Sequence, residues 1–359
     1  MALRSGLAAQ WCAIDETTYG VAPSLSAAIF YANVSDQLKL KKTPKQGVGI
    51  FSGSLAPRGS RRVITEYSAG GPVNMELPER QMNPWLFRML GSYGQAAATL
   101  TQDGSTGAYS ATHALGPLEG HSFVVQKGAP TADNGTVKPF TYTGCKVQEW
   151  EISAQMGDIV KLAMTIEARN ELQGSYKDPL NGSVPTLQAY AAPAAGSVFR
   201  WVGGSLLYGG TATTTSGVTS ISGATALSNL TGTMTLKCSR PLDLTRYAAD
   251  VSPYRNEPSQ NGLTAITGAF TPEWLSTSAQ RAAFQNDTPT AIQLQFTTAG
   301  IGSGSDIATF SLMVPYAKLD DDAVDIPGPA VLTEPVTYTG LDDGVNNILQ
   351  CTYWTLDSV

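Results

Sequence analysis

Two histidines and four cysteines are the residues on which metal binding or nucleophilic catalysis could depend. His113 and His121 lie in a glycine-rich polar stretch and do not have the spacing of zinc ligands. Zinc centres, Ser-His-Asp triads and most acid–base chemistry use histidine. The sequence therefore predicts no metal site, no cofactor and no catalytic triad.

The four cysteines are far apart and form no CxxC pair: Cys12, Cys145, Cys238 and Cys351. The last three lie in strand-like contexts, which favours buried, reduced thiols. We therefore expect synthesis in a reducing cytoplasm.

The glycine-rich and acidic segments also contain no recognisable cofactor, calcium or catalytic site. The chain has no GxxxxGK[ST], HExxH or GxSxG motif, and residues 203–204 and 300–305 do not join a strand to a helix as a dinucleotide site requires. The acidic run at residues 320–325 lacks the glycine and final glutamate of an EF-hand. A glycosidase with paired carboxylates stays formally open, although no pair stands out. No enzyme is expected.

Composition favours β-sheets and turns. The 359 residues include 36 Gly and 21 Pro, only 14% are charged, and the net charge is -6, which argues against a basic nucleic-acid clamp. No stretch of about 18 apolar residues predicts a transmembrane helix, so no membrane anchor is expected. Residues 1–11 lack the features of a signal peptide. So little charge suits a surface that is covered by other copies of the chain.

Alternation with period two predicts strands along most of the chain. The clearest hairpin joins residues 146–154 to residues 159–169, with apolar and polar side chains on opposite faces. Further strands are expected at residues 30–40, 63–67, 72–77, 122–126, 198–208, 233–238, 263–274, 291–296, 307–314, 331–339 and 348–354. Residues 79–91 predict a helix with Asn83 as N-cap and Pro84 at the first helical position. A second helix is expected at residues 277–286, capped by Ser276 or Thr277.

The order of these elements repeats. Each half reads strand, long loop, strand, helix, strand and then a pair of strands, which suggests a duplication. We expect one β-sandwich domain at residues 1–180 and a second at residues 181–359, separated within a Pro/Ala-rich connector at residues 172–195. The polar loop at residues 93–120 and the Thr/Ser-rich tract at residues 209–232 have no assigned role; the tract is expected to form a loop or the tip of a hairpin.

Several blocks, in order, resemble the major tail tube proteins of long, non-contractile (siphovirus-type) phages, especially those of actinobacterial hosts. The blocks are GLAAQWCAIDETTYG (6–20), SRRVITEYSAGGPVNMELPER (60–80), KPFTYTGCKVQEWEISAQMGDIVKLAMTIEARNE (138–171), RNEPSQNGLTAITGAF (255–270) and GLDDGVNNILQCTYW (340–354). The loop at 93–120 and the tract at 209–232 match no block of the family.

The resemblance implies a mainly β structural protein with a β-sandwich flanked by a helix. Copies would form rings, inner strands of neighbouring subunits would join in a continuous β-barrel, and stacked rings would conduct double-stranded DNA without binding it specifically. Six-fold rings are usual in the family, and members with a doubled domain form pseudo-six-fold trimers. Because of the inferred duplication we expect a trimer, with a hexamer as the alternative. Other tail proteins would meet the tube ends, and the protein would reside in the virion.

Two surfaces are predicted to serve such a tube. We hypothesise that the polar face of the central hairpin lines the lumen, where negative or neutral side chains would repel phosphate; an ordinary solvated outer face is the alternative. The proposed lumen residues are Glu149, Glu151, Ser153, Lys161, Thr165, Glu167 and Arg169.

A cationic stretch is expected to dock on an acidic face of another subunit or of the adjacent ring, with a DNA site as the less favoured alternative. The cations are Lys39, Lys41, Lys42, Lys45, Arg58, Arg61 and Arg62. The candidate acceptors are Asp320, Asp321, Asp322, Asp342 and Asp343.

A different class of function is left open by the sequence. A β-sandwich module that recognises a host-surface carbohydrate or receptor would also be rich in strands and could use some of the six tryptophans. Trp85 and Trp150 are expected in the core, which weakens this alternative.

Overall fold

The computed structural model describes residues 5–91, 99–132, 135–173, 184–247, 253–276, 278–324, 326 and 328–358. These residues form a mainly β structure with two short helices, as predicted. The expected boundary between residues 180 and 181 lies outside the described residues. No helix in the described ranges is both long enough and apolar enough to span a membrane.

We call the part of the chain up to residue 172 the first half and the part from residue 204 the second half. The first half contains β1 (Gln10–Asp15), β2 (Ile29–Phe30), β3 (Ser35–Asp36), β4 (Lys39–Gln46), β5 (Arg62–Glu76), α1 (Asn83–Leu90), β6 (Thr101–Gln102), β7 (Tyr109–Ala114), β8 (Phe123–Pro130), β9 (Val137–Ala154), β10 (Lys161–Ala168) and β11 (Asn170–Leu172). The second half contains β12 (Gly204–Tyr208), β13 (Thr211–Thr215), β14 (Val218–Ser222), β15 (Thr225–Ala226), β16 (Met234–Ser239), β17 (Ala265–Phe270), α2 (Ala279–Gln285), β18 (Thr290–Gly300), β19 (Ile307–Asp322), β20 (Val336–Gly340) and β21 (Gln350–Thr355).

One antiparallel sheet crosses both halves, and we call it the polar sheet. Its strands follow the order β4–β5–β10–β9–β16–β17–β20–β19. The two halves meet where β9 pairs with β16, from Glu149 opposite Ser239 to Ala154 opposite Met234.

The pairing order is the same in the two halves. In the first half the strands run β1–β8–β9–β10–β5–β4. In the second half they run β12–β18–β19–β20–β17–β16. Every one of these pairs is antiparallel, so each strand in one of these series has a counterpart in the other.

The long strands β9 and β19 connect the layers of the sandwich because each changes its partner along its length. Residues 137–145 of β9 pair with β8, whereas residues 146–153 pair with β10. Residues 307–317 of β19 pair with β18, and residues 317–322 pair with β20. Both strands therefore leave one sheet and continue in the polar sheet.

One large hydrophobic core fills the space between the layers and extends through both halves. Trp11, Trp85 and Trp150 are buried in the first half, and Phe310 and Tyr353 in the second. Trp85 stacks on Trp11, with ring centroids 5.6 Å apart. The two halves share this core, so neither half buries its apolar face alone.

Both helices lie close to their predicted positions. In α1, Met82 is the N-cap, one residue before the predicted Asn83, and Gly91 with φ 73 ends the helix. In α2, the Ser278 hydroxyl accepts a hydrogen bond from the Arg281 amide and caps the helix. The predicted cap Ser276 is thus two residues too early, and Thr277 lies outside the described residues.

Several strands differ from the prediction in extent. Residues 63–67 and 72–77 belong to one continuous strand, β5, apart from Leu77 at its end, and residues 30–40 are divided among β2, β3 and β4. The tract at 209–232 contains the hairpin β13–β14, and the described part of the loop at 93–120 contains β6 and β7. Glycine-rich and threonine-rich segments hide their strands because they lack apolar alternation.

Candidate assembly surface

The hairpin β9–β10 presents an accessible polar face in the middle of the polar sheet. Trp150, Ile152 and Leu162 point into the core, whereas Glu149 and Glu151 are partly exposed on the other face. Ser153 and Lys161 lie opposite each other in the same register, as do Glu149 and Thr165. Five of the proposed lumen residues therefore share one accessible face: Glu149, Glu151, Ser153, Lys161 and Thr165.

This face carries charges of both signs. Lys237 of β16 lies beside Glu151 in the pairing register, and its Nζ is 2.9 Å from Glu149 Oε1. Lys161 pairs with Asp158 at the turn of the hairpin. These contacts combine both signs of charge, which suits a surface that must not hold a polyanion.

Glu167 and Arg169, the other two proposed lumen residues, are buried, each with 8% of its surface exposed. Glu167 lies 3.3 Å from Lys41 Nζ and 3.6 Å from Arg255 Nη2. Arg169 Nε donates to the Arg255 carbonyl at 3.1 Å. These contacts tie the end of β10 to the segment before β17, so neither side chain is available to a lumen.

Two strand edges of the polar sheet have no partner within the described part of the chain. The strand β4 pairs only with β5, over Lys39–Gln46. Residues 318–322 of β19 pair only with β20. Unpaired edges expose backbone donors and acceptors and are ready templates for another strand.

The predicted cations lie on β4, on the loop that follows it and at the start of β5, and all seven are exposed. Lys41 makes the ion pair with Glu167 described above. Arg58 and Arg61 lie over the Phe51 ring, at 4.0 Å and 4.5 Å from its centroid. Residues 47–61, which we call the arm, also expose three apolar side chains almost completely: Val48, Ile50 and Leu55.

The predicted acidic acceptors divide into two groups. Asp320 and Asp321 are exposed at the end of β19, where Asp320 Oδ2 accepts a hydrogen bond from the Thr339 hydroxyl at 2.6 Å. Asp322 is buried, with Arg281 Nη1 3.8 Å from its Oδ2, so it is not available as an acceptor. The second group, Asp342 and Asp343, follows β20, and Asp343 Oδ1 accepts the amides of residues 345 and 346.

Sequence reasoning missed a set of buried charges that joins the halves. Arg240 Nη2 donates to the Leu90 carbonyl at 2.5 Å, at the last residue of α1. Lys146 Nζ lies 2.6 Å from Glu257 Oε1. These residues carry no periodic pattern; the available signal is the presence of charges in an otherwise weakly charged chain.

The histidines and cysteines occupy structural positions. His113 is buried and its Nε2 lies 2.7 Å from Asn83 Oδ1, and burial lowers the pKa of His113 to about 4. All four cysteines are buried free thiols, as expected from their contexts. Burial raises the pKa of Cys12 and of Cys238 to about 11, which keeps the nucleophilic thiolate scarce. Within the described ranges, no group of three or more metal-ligating side chains comes together.

The comparison with family models agrees with the resemblance seen in the sequence. The model described as phage tail tube protein matches residues 6–340, which is nearly the whole chain. A comparison with curated proteins gives no match. The family is structural rather than enzymatic, and its members are virion components that assemble into multimers. The chain belongs to the phage tail tube protein family.

Proposed function

We propose that this protein builds a tail tube from three-membered rings, in which β4 of one protomer pairs with β19 of the next. The stacked rings enclose a lumen through which genomic DNA passes into the host. The observation that carries the proposal is the internal pairing of β9 with β16 together with the two unpaired edges of the same sheet.

The internal junction is a template for the junction between protomers. In the order of pairing, β19 of the second half is the counterpart of β9, and β4 of the first half is the counterpart of β16. Because β9 and β16 pair antiparallel, residues 318–322 would pair antiparallel with residues 39–46 of the neighbour. Each chain then contributes two like units, as a duplication over residues 1–180 and 181–359 would produce. Three chains close a ring with six equivalent places.

Charge complementarity supports the same pairing. The edge strand β4 exposes Lys39, Lys42 and Lys45, whereas the end of β19 exposes Asp320 and Asp321. The internal junction uses the same principle, since a lysine of β16 pairs with a glutamate of β9. Opposite charges on facing strands stabilise the register and steer association.

Closing the polar sheet into a barrel places one of its faces toward the lumen. The opposite face is the core face of Trp150 and Leu162, so the lumen must receive the partly exposed polar face of β9 and β10. Its paired charges, such as Glu149 with Lys237, leave little net attraction for phosphate. DNA can then slide without specific binding.

Electron microscopy of the purified protein, with two charge variants, tests this proposal. Lys39→Glu places a negative charge on β4, and Lys138→Glu, at an exposed position on the first part of β9, is the matched control. We expect tubes from the wild type and from the control, but shorter tubes or free protomers from Lys39→Glu. Equal assembly by both variants, or a ring of six chains, would contradict the pairing.

A further inference from the structure

We propose that the arm, residues 47–61, fastens neighbouring protomers within one ring by lying across the second half of the next protomer. This inference rests on the proposed ring and adds to it a second contact with named residues. It follows from the corresponding loop of the second half, residues 240–262, whose described parts (240–247 and 253–262) we call the strap.

The strap already makes such a contact inside the chain. It leaves β16, crosses the junction of the halves and contacts the first half before it enters β17. Arg240 Nη2 and Nη1 donate to the carbonyls of Leu90 and Gly116 at 2.5 and 2.7 Å. Arg255 Nη2 donates to the Ala168 carbonyl at 2.9 Å. Both arginines are almost fully buried.

An aromatic contact also holds the strap against the first half. The Tyr254 ring stacks on the Tyr67 ring with centroids 5.4 Å apart. The Tyr67 amide donates to the Pro253 carbonyl at 2.9 Å. Tyr67 lies in the first part of β5, between the arm and the central glycines of that strand. The strap therefore packs beside the strand that follows the arm.

The arm occupies the same position in the order of strands as the strap. It joins β4 to β5, as the strap joins β16 to β17. Its base is closed by a hydrogen bond from the Gly47 amide to the Arg61 carbonyl at 3.0 Å. Val48 and Ile50 are exposed by 92% and 99%, which leaves apolar surface that water disfavours. The arm makes no buried contacts like those of Arg240 and Arg255 with the described residues of its own chain.

The second half offers an apolar seat for the arm of a neighbour. Ala69 of β5 pairs with the last residue of β10, and Ile266 of β17 pairs with the last residue of β20, so these two positions correspond. Leu263 therefore lies within one residue of the position that corresponds to Tyr67, the ring on which the strap rests. Leu263 is 94% exposed, so its side chain is accessible to a second chain.

An ionic seat lies at the end of α2. There, the Asp287 side chain is 75% exposed, and its Oδ2 lies 2.5 Å from Lys318 Nζ of β19, which leaves its other oxygen for a second cation. This end of α2 corresponds to the end of α1 that receives Arg240. Leu40 pairs with Ala69 as Cys238 pairs with Ile266, so Lys42, two residues on, is the counterpart of Arg240. It is exposed and supplies the opposite charge to Asp287.

The partner is therefore a second copy of this chain in the same ring. A contact with the next ring would leave Leu263 exposed. The arm would then not bind as the strap does. Within the ring, the arm reaches its seat from β4, because β4 itself lies beside β19 of that neighbour in the proposed junction. The apolar contact pairs Ile50 with Leu263, and the ionic contact pairs Lys42 with Asp287.

Cross-linking in assembled tubes distinguishes a contact within the ring from a contact between rings. In the variant Ile50→Cys/Leu263→Cys, the introduced thiols are the reactive ones because the four native cysteines are buried. A short bis-maleimide joins thiols that lie near each other, and a denaturing gel then reports the number of chains joined. We expect dimers and trimers and no larger product. Each single variant, treated alike, is the control and should give no trimer.

Other outcomes overturn the contact. A ladder that continues beyond the trimer would show that the arm reaches another ring. Tubes without cross-links would show that Ile50 and Leu263 are not neighbours, while the proposed tube would stand. A wild-type protein that stays monomeric would instead contradict the proposed function itself.

A charge exchange gives a second test in case the cysteine variant does not assemble. Lys42→Asp and Asp287→Lys should each weaken ring assembly, as measured by native mass spectrometry of the trimer. The two changes together should restore part of the trimer formation, because the opposite charges between protomers face each other again, although Lys318 loses its own partner. Failure of the combined variant to recover more trimer than either single variant would contradict the ionic contact.

Discussion

Lys146 and Glu257 form an ion pair between the halves, with 2.6 Å between Nζ and Oε1. The Lys146 side chain is fully buried, and its Nζ also donates to the Leu118 carbonyl at 2.6 Å. The Gly120 amide donates to Glu257 Oε1. A lysine from the bend of β9 is thus neutralised by a residue of the strap, far along the chain.

Removing the carboxylate should destabilise the protein because the ammonium group of Lys146 stays buried. We expect Glu257→Gln to lower the free energy of unfolding by about 2 kcal/mol, as for a hydrogen bond to a charged group. Lys237→Met is the matched control, since it breaks the partly exposed pair with Glu149 and should cost less than about 1 kcal/mol. Urea unfolding of both variants measures the difference; equal losses would show that the buried pair has no special role.

Gly91 ends α1 where the chain has no room for a side chain. A Cβ atom at this position would lie 2.4 Å from the Pro117 carbonyl oxygen, and the φ of Gly91 is +73. Gly53 has the same φ of +73, but no atom lies within 4 Å of the place that a Cβ would take there, which makes it a matched control.

We expect Gly53→Ala to cost about 1 kcal/mol from backbone strain alone. Gly91→Ala should cost at least about 2 kcal/mol more, because the backbone of residues 116–117 must also move. Thermal unfolding followed by circular dichroism compares the two variants. A similar melting temperature for both would mean that the loop after β7 yields freely.

Glu334 is a buried carboxyl whose protonation should make stability depend on pH. Burial, and then the neighbouring Asp322 carboxylate, raise the pKa of Glu334 to about 7 from its ordinary 4.5, against the opposing effects of the Ser278 hydroxyl and Arg281. The folded state therefore binds this proton more tightly than the unfolded state does. Stability contributed by the protonated form is present at low pH and is lost as pH rises from about 4.5 through 7.

The variant Glu334→Gln should remove much of this loss. At pH 8 we expect it to be more stable than the wild type by on the order of 2 kcal/mol, whereas at pH 5 the two should be similar. Glu273 and Glu334 line the same surface cavity. Glu273→Gln is therefore the control and should keep the wild-type pH profile. Urea unfolding at the two pH values measures the difference, and a Glu334→Gln profile that matches the wild type would contradict the raised pKa.

The central hairpin could be predicted from sequence because its chemistry repeats at every second residue. Trp150, Ile152 and Leu162 are buried as the alternation indicates, and the register places Glu149 opposite Thr165. The family and the mainly β fold also followed from ordered blocks of sequence. Local periodicity carries the burial pattern and the register of the hairpin directly.

The continuous strand β5 could not be recognised in the same way. Its centre contains Gly70 and Gly71, which look like a break between two strands. A Cβ at these positions would lie 2.4 Å from the carbonyl oxygens of Ile166 and Gln37, respectively. The glycines thus permit close approach of neighbouring backbones, a requirement that only the folded sheet reveals.

The burial of Glu167 and Arg169 was equally hidden from the sequence. Both continue the polar alternation of β10, so they resemble their accessible neighbours. They are covered by Arg255, which is distant in the chain and belongs to the strap. Long-range packing, which leaves no local pattern, decides which members of a polar face stay exposed.

A three-dimensional reconstruction of the assembled tube by cryo-electron microscopy tests the central claim most directly. It should show three chains in each ring and main-chain hydrogen bonds between residues 39–46 of one protomer and residues 318–322 of the next. It should also place Glu149 and Glu151 on the wall of the lumen. A ring in which β4 faces solvent, or in which the polar face of β9 points away from the bore, would contradict the account.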